Sequence, residues 1–245
     1  MIVIAHVSDT HFDGGPRNAE RSGRVLAYLA ALPHPVDVVL VTGDITDHGR
    51  PDEYEQAAKV LAAVPGALTL PGNHDVRASY RAGLLGEPAA DGPVNRAAVV
   101  GGVTLALCDS TIPGRDDGRL DDETLDWLRA VLTGTDGPVL ICMHHPPVEL
   151  RVPFIDALRL HDAQPLAELV AEFPNVLAVL CGHAHSAAAT TFVGRPLLVA
   201  PGVVSRLRLP WEGEDPPMDY DAPPGLAFHV LDDDLRLTTH YRFLP

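Results

Sequence analysis

Thr69-Leu70-Pro71-Gly72-Asn73-His74-Asp75 is the stretch whose reading decides the fold. Residues 67–70 form a short apolar run with a β-branched residue, the pattern of a buried strand. Pro71-Gly72 ends it, because proline has no N–H for a neighbouring strand and glycine accepts positive φ. An amide, an imidazole and a carboxylate then follow without a gap. A strand tip that turns sharply and offers these three groups suits metal or proton chemistry. Its packing-only alternative is an Asx-type turn in which Asp75 caps the next helix. The rest of the chain tells against that alternative, because strands running into ligand-type residues recur along it.

Upstream, residues 1–7 are apolar and β-branched and run into Ser8-Asp9-Thr10-His11. Asp9 and His11 are two apart, so an extended chain puts them on one side. His6, at the end of this strand, reads as a hydrogen-bonded core residue. Residues 17–32 have the spacing of an amphipathic helix through Val25, Leu26, Leu29 and Leu32, closed by Pro33-His34-Pro35. Residues 36–41 form the next strand and end in Thr42-Gly43-Asp44. Pro51, followed by Asp52 and Glu53, starts a second helix that buries Tyr54, Ala57, Ala58 and Leu61.

Downstream, residues 76–98 carry a short helix and an irregular segment, and residues 99–108 a strand broken at Gly101-Gly102 as by a hairpin turn. A helix starts at Asp121-Asp122-Glu123 and turns Leu125, Leu128 and Leu132 inward. Residues 139–143 are a strand ending in His144-His145-Pro146-Pro147. A helix over 162–173 precedes a strand over 176–180, which ends in Cys181-Gly182-His183-Ala184-His185. Residues 189–193, 196–199, 226–231 and 235–243 read as β. The strand–helix alternation predicts parallel strands with right-handed crossovers, whose ligands gather beyond the carboxyl ends of the strands. No repeat or linker divides the chain, so one domain over 1–245 is expected. Residues 205–225, rich in proline and acid and carrying Trp211 and Tyr220, read as a lid or contact loop, or as a tethered surface excursion.

The chain has 245 residues, 46% of them hydrophobic, enough for a sizeable core. Thirty-three acids against 18 bases give a formal charge of −15. That balance repels nucleic-acid backbones and anionic membranes, so no nucleic-acid partner is expected and a nuclease is disfavoured. A site whose own cations draw in phosphate is compatible with it. Cys108, Cys142 and Cys181 sit in or at the end of apolar runs and read as reduced, buried thiols. No 18-residue apolar segment is present, so no membrane helix is expected. With no signal-type pattern at residues 2–7, the expected location is the cytoplasm.

Asp9, His11, Asp44, Asn73, His144, His183 and His185 all follow apolar runs. Carboxylate, imidazole and amide together suit Mn²⁺ or Fe²⁺, with Zn²⁺ as an alternative, and not a thiolate site. Seven ligands exceed what one ion takes with a position left open. Two ions sharing a carboxylate fit the number, and Asp44, on a central strand, is the expected bridge. Such a pair clamps both oxygens of an in-line displacement at phosphorus. His74 then suits delivery of a proton to the leaving alkoxide, with Asp75 fixing its tautomer. Asn73, His74 and His185 are expected against the substrate.

The series Asp9-x-His11, Gly43-Asp44, Gly72-Asn73-His74-Asp75, His144-His145-Pro146-Pro147 and Gly182-His183-x-His185 resembles the calcineurin-like metallophosphoesterase superfamily. Within it the chain most resembles bacterial class III cyclic nucleotide phosphodiesterases and the related glycerophosphodiesterases. The resemblance implies a four-layer α/β/β/α sandwich with mixed sheets. It also implies one metal held by Asp9, His11, Asp44 and His185, and a second held by Asp44, Asn73, His144 and His183, with His145 structural. Protein phosphatases of the superfamily carry an arginine shortly after Gly-Asp; here Asp47-His48-Gly49 stands there, which argues against a phosphoprotein substrate. His48 faces the substrate or caps the turn. The expected activity is hydrolysis of a small phosphodiester. A 3′,5′-cyclic nucleotide such as cyclic AMP leads, with glycerophosphodiesters and 2′,3′-cyclic nucleotides as alternatives. A non-catalytic scaffold on the same fold would lose ligands, and none is lost here. The sequence leaves a homodimer or larger homo-oligomer open.

Overall fold

A computed structural model describes residues 1–213 and 217–245. The elements run β1 (Ile2–Val7), α1 (Pro16–Ala30), β2 (Val38–Thr42), α2 (Pro51–Leu61), β3 (Leu68–Leu70), α3 (Arg77–Tyr80), a π-helical turn (Arg81–Leu85), β4 (Arg96–Val100) and β5 (Val103–Leu107). They continue with α4 (Asp122–Thr133), β6 (Val139–Cys142), α5 (Pro153–Asp156), α6 (Gln164–Glu172), β7 (Val176–Cys181), β8 (Ala188–Phe192) and β9 (Arg195–Val199). The last four are β10 (Arg206–Leu207), β11 (Met218–Asp219), β12 (Gly225–Leu231) and β13 (Leu237–Phe243).

Two mixed sheets carry the fold. One has the order β13-β12-β1-β2-β3, the other β4-β5-β6-β7-β9-β8. Strands β1, β2 and β3 are parallel, as the strand–helix alternation predicts. So are β5, β6, β7 and β9. Strands joined by short turns, β4 to β5, β8 to β9 and β12 to β13, pair antiparallel.

The side-chain period of two explains the layers. Ile4, Val38, Leu40 and Leu70 from the first sheet meet Leu105, Leu140, Leu180 and Leu198 from the second, in the core between the sheets. Their neighbours Ala5, Val39 and Val41 face the other way, onto Val25, Leu26 and Leu29 of α1 and onto Tyr54 and Ala57 of α2. On the far side Ala106, Ile141 and Val179 pack against Leu128 and Leu132 of α4 and Leu166 and Leu169 of α6. Strands buried on both faces are apolar without a break, which is how they read in the sequence. The layer order is therefore α/β/β/α.

Two details differ from the sequence reading. Ala58 is exposed on α2. The helix turns a stripe of Glu53, Tyr54 and Ala57 inward, with Val60 and Leu61 half-buried below it, and residue 58 stands about 100° round from residue 57. The excursion over 205–225 is not all loop. Arg206–Leu207 pairs with Met218–Asp219 as a two-stranded ribbon, and Leu207 is buried. Among the described residues, no helix is long and apolar enough to cross a membrane.

Candidate metal centre

The carboxyl ends of β1, β2, β3, β6 and β7 converge where the two sheets meet. Beyond β1 and β2 the chain stays zipped: Asp9 N donates to Gly43 O and His11 N to Asp44 O, at 3.2 and 2.9 Å. Asp9, His11, Asp44, His183 and His185 all have positive φ, between 39° and 67°. Such left-handed geometry is unfavourable for non-glycine residues, and it clusters where a site needs it. It turns these side chains back over the strand tips into one place. Gly43, at φ 88°, must be glycine: a Cβ there would stand 2.5 Å from His144 Nδ1 and 2.8 Å from Gly72 Cα.

The seven expected ligands form two adjoining donor sets. In the first, His11 Nε2 lies 3.2 Å from His185 Nε2 and 3.5 Å from Asp44 Oδ2, and His185 Nε2 lies 3.5 Å from Asp9 Oδ1. In the second, His144 Nε2 lies 3.1 Å from Asn73 Oδ1, 3.3 Å from Asp44 Oδ1 and 3.2 Å from His183 Nδ1. The two oxygens of Asp44 thus face different sets.

Outer contacts decide which nitrogen faces inward. His11 Nδ1 donates to Asp47 Oδ1 at 2.9 Å, and His144 Nδ1 donates to Thr42 O at 2.7 Å. His185 Nδ1 is 2.8 Å from Ser205 Oγ. In each ring the Nε2 lone pair is left pointing at the other donors. Asp9 Oδ2 is buried without a protein partner. Burying a carboxylate oxygen unpaired is costly, and a cation is the partner it calls for. The ligand atoms of Asp9, His11, Asp44 and His185 lie close enough to share one divalent cation, and those of His144, His145 and His183 lie close enough to share another; Asp44 and Asn73 reach this second group through His144.

The local field is negative. Burial opposes charge on His144, yet the adjacent Asp44 carboxylate outweighs it and raises the imidazole to about 9. His11 is raised against the same opposition from burial, by its bond to Asp47 and by Asp44 and Asp9. Asp44 is held well below the carboxylate range: burial would raise it, and His144 and His11 overcome that. Burial lowers His183 and His185.

His145 stands near enough to His144 and His183 to share an ion with them, but both of its ring nitrogens have protein partners. Its Nδ1 meets Ser110 Oγ at 2.8 Å and its Nε2 meets Asp116 O at 3.3 Å. Burial pushes it down to about 3, so it is neutral. His6 bridges Thr42 Oγ1 and His229 Nε2 within the sheet. His48 caps α2: its N and Nδ1 both bond the Glu53 carboxylate, at 3.0 and 2.7 Å.

Asp75 requires a correction. Its carboxylate does not reach His74. It accepts from Ile45 N, Thr46 N, Thr46 Oγ1, Tyr54 OH and Gly72 N, at 2.9–3.1 Å. Asp75 therefore ties the tips of β2 and β3 together and holds the turn, which is nearer to its packing-only alternative. The tautomer of His74 is set instead by Asp47 O, to which its Nδ1 donates at 2.8 Å. Asp47 was missed as a site residue by sequence reasoning. It lies three residues past Asp44, and its role shows only when residues 47, 11 and 74 meet. Ser205 was missed for the same reason, being 20 residues from the histidine it contacts.

A cleft of about 630 Å³ opens from His11, Asp44, Asn73 and His74. A family comparison matches residues 2–187 to the calcineurin-like phosphoesterases. The chain belongs to the calcineurin-like phosphoesterase family. As such it is a metal-dependent hydrolase of phosphoric esters. It is 34% identical over 246 residues to a glycerophosphodiester phosphodiesterase of Enterobacter lignolyticus, covering 93% of this chain and 86% of that one. It is 36% identical over 214 residues to a probable cyclic nucleotide phosphodiesterase of Rhodococcus erythropolis, covering 80% and 69%. Among solved structures, a dimetal phosphatase from Danio rerio superposes with a TM-score of 0.72 at 18% identity, covering 99% and 96% of the two chains, a likeness of fold. This phosphoesterase thus has the four-layer architecture that its motifs imply.

Proposed function

We propose that this phosphoesterase hydrolyses small phosphodiesters, with 3′,5′-cyclic nucleotides such as cyclic AMP as its substrates and Mn²⁺ or Fe²⁺ as its metals. The observation that carries the reading is Asp44, whose two oxygens face two donor sets at the floor of an open cleft. Cations held there supply Lewis acidity and acidify a water. The protein's own part is orientation and proton transfer. Asn73 and His185 stand at the cleft floor, where the Asn73 amide N–H groups, free of partners among the described residues, meet a phosphate oxygen while His185 faces it from the donor set. His74, more than a third exposed, offers its Nε2 to the cleft while Nδ1 stays on Asp47 O. Protonated, it stabilises charge building on the leaving oxygen and gives that oxygen its proton as the P–O bond breaks.

The test is a substrate panel with Mn²⁺, paired with elemental analysis. Cyclic AMP turnover with two metals per chain is expected. If cyclic AMP is untouched while glycerophosphodiesters turn over, the substrate reading fails. A glycerophosphodiester is the second reading, favoured by the 34% identity to a glycerophosphodiester phosphodiesterase along most of both chains.

A further inference from the structure

Two aromatic side chains from unrelated segments line the cleft above Asp44 and His74: Phe154 of α5 and Tyr220, just after β11. They are 54% and 58% exposed. One exposed aromatic needs no explanation, but two lining one cleft beside a phosphoryl-type site do.

Both are held in place. α5 is a single helical turn whose Ile155 is buried in the core, so Phe154 points out. The Asp156 carboxylate accepts from Leu150 N and Val152 N at 2.6 and 3.0 Å, and Leu160 N donates to Pro146 O at 3.0 Å. These bonds fix α5 relative to the His144-His145-Pro146 tip. Tyr220 is secured from α1. The Arg17 guanidinium lies 5.7 Å from its ring centroid and donates to its carbonyl, and to Val204 O at 3.0 Å. Asn18, next to Arg17 on α1, donates its Nδ2 to His11 O at 2.7 Å, so this end of α1 is tied to the metal-binding floor. Leu158 and Met218 add apolar surface to the same cleft.

We infer that Phe154 and Tyr220 supply the stacking surface for a nucleobase, making this cleft selective for nucleotide diesters over glycerol diesters. A base presents a flat π face that stacks on aromatic rings, whatever its sequence of edge groups. Glycerol has only hydroxyls to offer and gains nothing from an aromatic wall. The cation beside Tyr220 adds to the ring's electrostatic handle. This inference rests on the reading of the site as a phosphodiesterase.

The experiment is titration calorimetry of the Mn²⁺-loaded protein with 5′-AMP and with ribose 5-phosphate, which carries a hydroxyl in place of the base. AMP is expected to bind at least roughly tenfold more tightly. Phe154→Ala and Tyr220→Ala should each weaken AMP by about tenfold, and leave ribose 5-phosphate within about twofold. Phe154→Trp, which keeps a stacking face, should retain the AMP preference. Equal affinities in the unaltered protein overturn the inference, as does AMP binding unmoved by both alanine variants. If the preference for AMP holds but no cyclic nucleotide is hydrolysed, the reaction reading fails and the stacking surface stands. If cyclic AMP is hydrolysed without any base preference, only the stacking surface fails.

Discussion

Asp47 Oδ1 accepts the Nδ1 proton of His11 at 2.9 Å, and the Asp47 backbone carbonyl accepts the Nδ1 proton of His74 at 2.8 Å. One residue outside the donor sets therefore orients both a metal-type ligand and the proposed proton donor. The two imidazoles meet edge to face, with ring centroids 4.6 Å apart.

Asp47→Ala removes the carboxylate that fixes the His11 ring. Partners of ligating histidines are worth about 10–100-fold in metal affinity. The variant should lose that much at the Asp9–His11–Asp44–His185 set, measured by competition with a chelator. The His74 contact, made by the backbone, should survive. Unchanged metal affinity would show that the His11 ring needs no such support.

His74→Ala should slow phosphodiester turnover by about 10²–10⁴-fold, the usual worth of a positioned proton donor. Metal content by elemental analysis should stay near that of the unaltered protein, because the ring belongs to neither donor set. If both metals are lost with the ring, His74 is a ligand and the assignment is wrong.

Asp75→Ala leaves five buried or half-buried donors without their acceptor. A destabilisation of about 3 kcal/mol or more is expected from urea unfolding of the metal-free protein. Burial, then repulsion from Asp44, raises the Asp75 carboxyl, while backbone N–H groups pull it down. Normal stability with slowed turnover would instead return Asp75 to the proton-relay role that the sequence suggested.

His229 and His6 form a buried imidazole pair inside the first sheet, 2.9 Å apart. Burial lowers His229 from 6.5 to about 3, and lowers His6 as well, through burial and then the second imidazole. The unfolded chain binds a proton below pH 6.5 and the folded one does not until about pH 3. Stability from His229 is therefore whole above pH 6.5 and is lost as pH falls towards 3, about 2 kcal/mol of it by pH 5. Metal-free His229→Gln should show a shallower fall in urea midpoint between pH 7 and 5 than the unaltered protein. Parallel profiles would show that His229 is not held neutral.

Much of the fold was legible because local rules and global packing agree in it. Residues 38–41, 139–143 and 176–180 are apolar without a break since both faces of their strands are buried, and the strands expected over 36–41, 139–143 and 176–180 emerge within two residues of their predicted ends. The helix over Pro51–Leu61 announced itself through Pro51, Asp52 and Glu53, yet Ala58 was misplaced, because alanine is equally at home in a core and in water. The ribbon of Arg206–Leu207 with Met218–Asp219 left no signal: two-residue strands are too short to show a period.

The sequence alone determined which residue types stand at the strand tips, and hence the family, the α/β layering and a donor set suited to paired divalent cations. Local patterning sufficed there because each tip is written in consecutive residues. Only the tertiary structure decided what those residues touch. Asp47 meets His11 across 36 positions, Ser205 meets His185 across 20, and Phe154 and Tyr220 share one cleft from separate segments. Asp75 was drawn away from its neighbour His74 towards Ile45 and Thr46, some 30 positions back. Such pairings arise from how β1, β2, β3, β6 and β7 bring their ends together, and adjacent side chains on a sharp turn point in different directions.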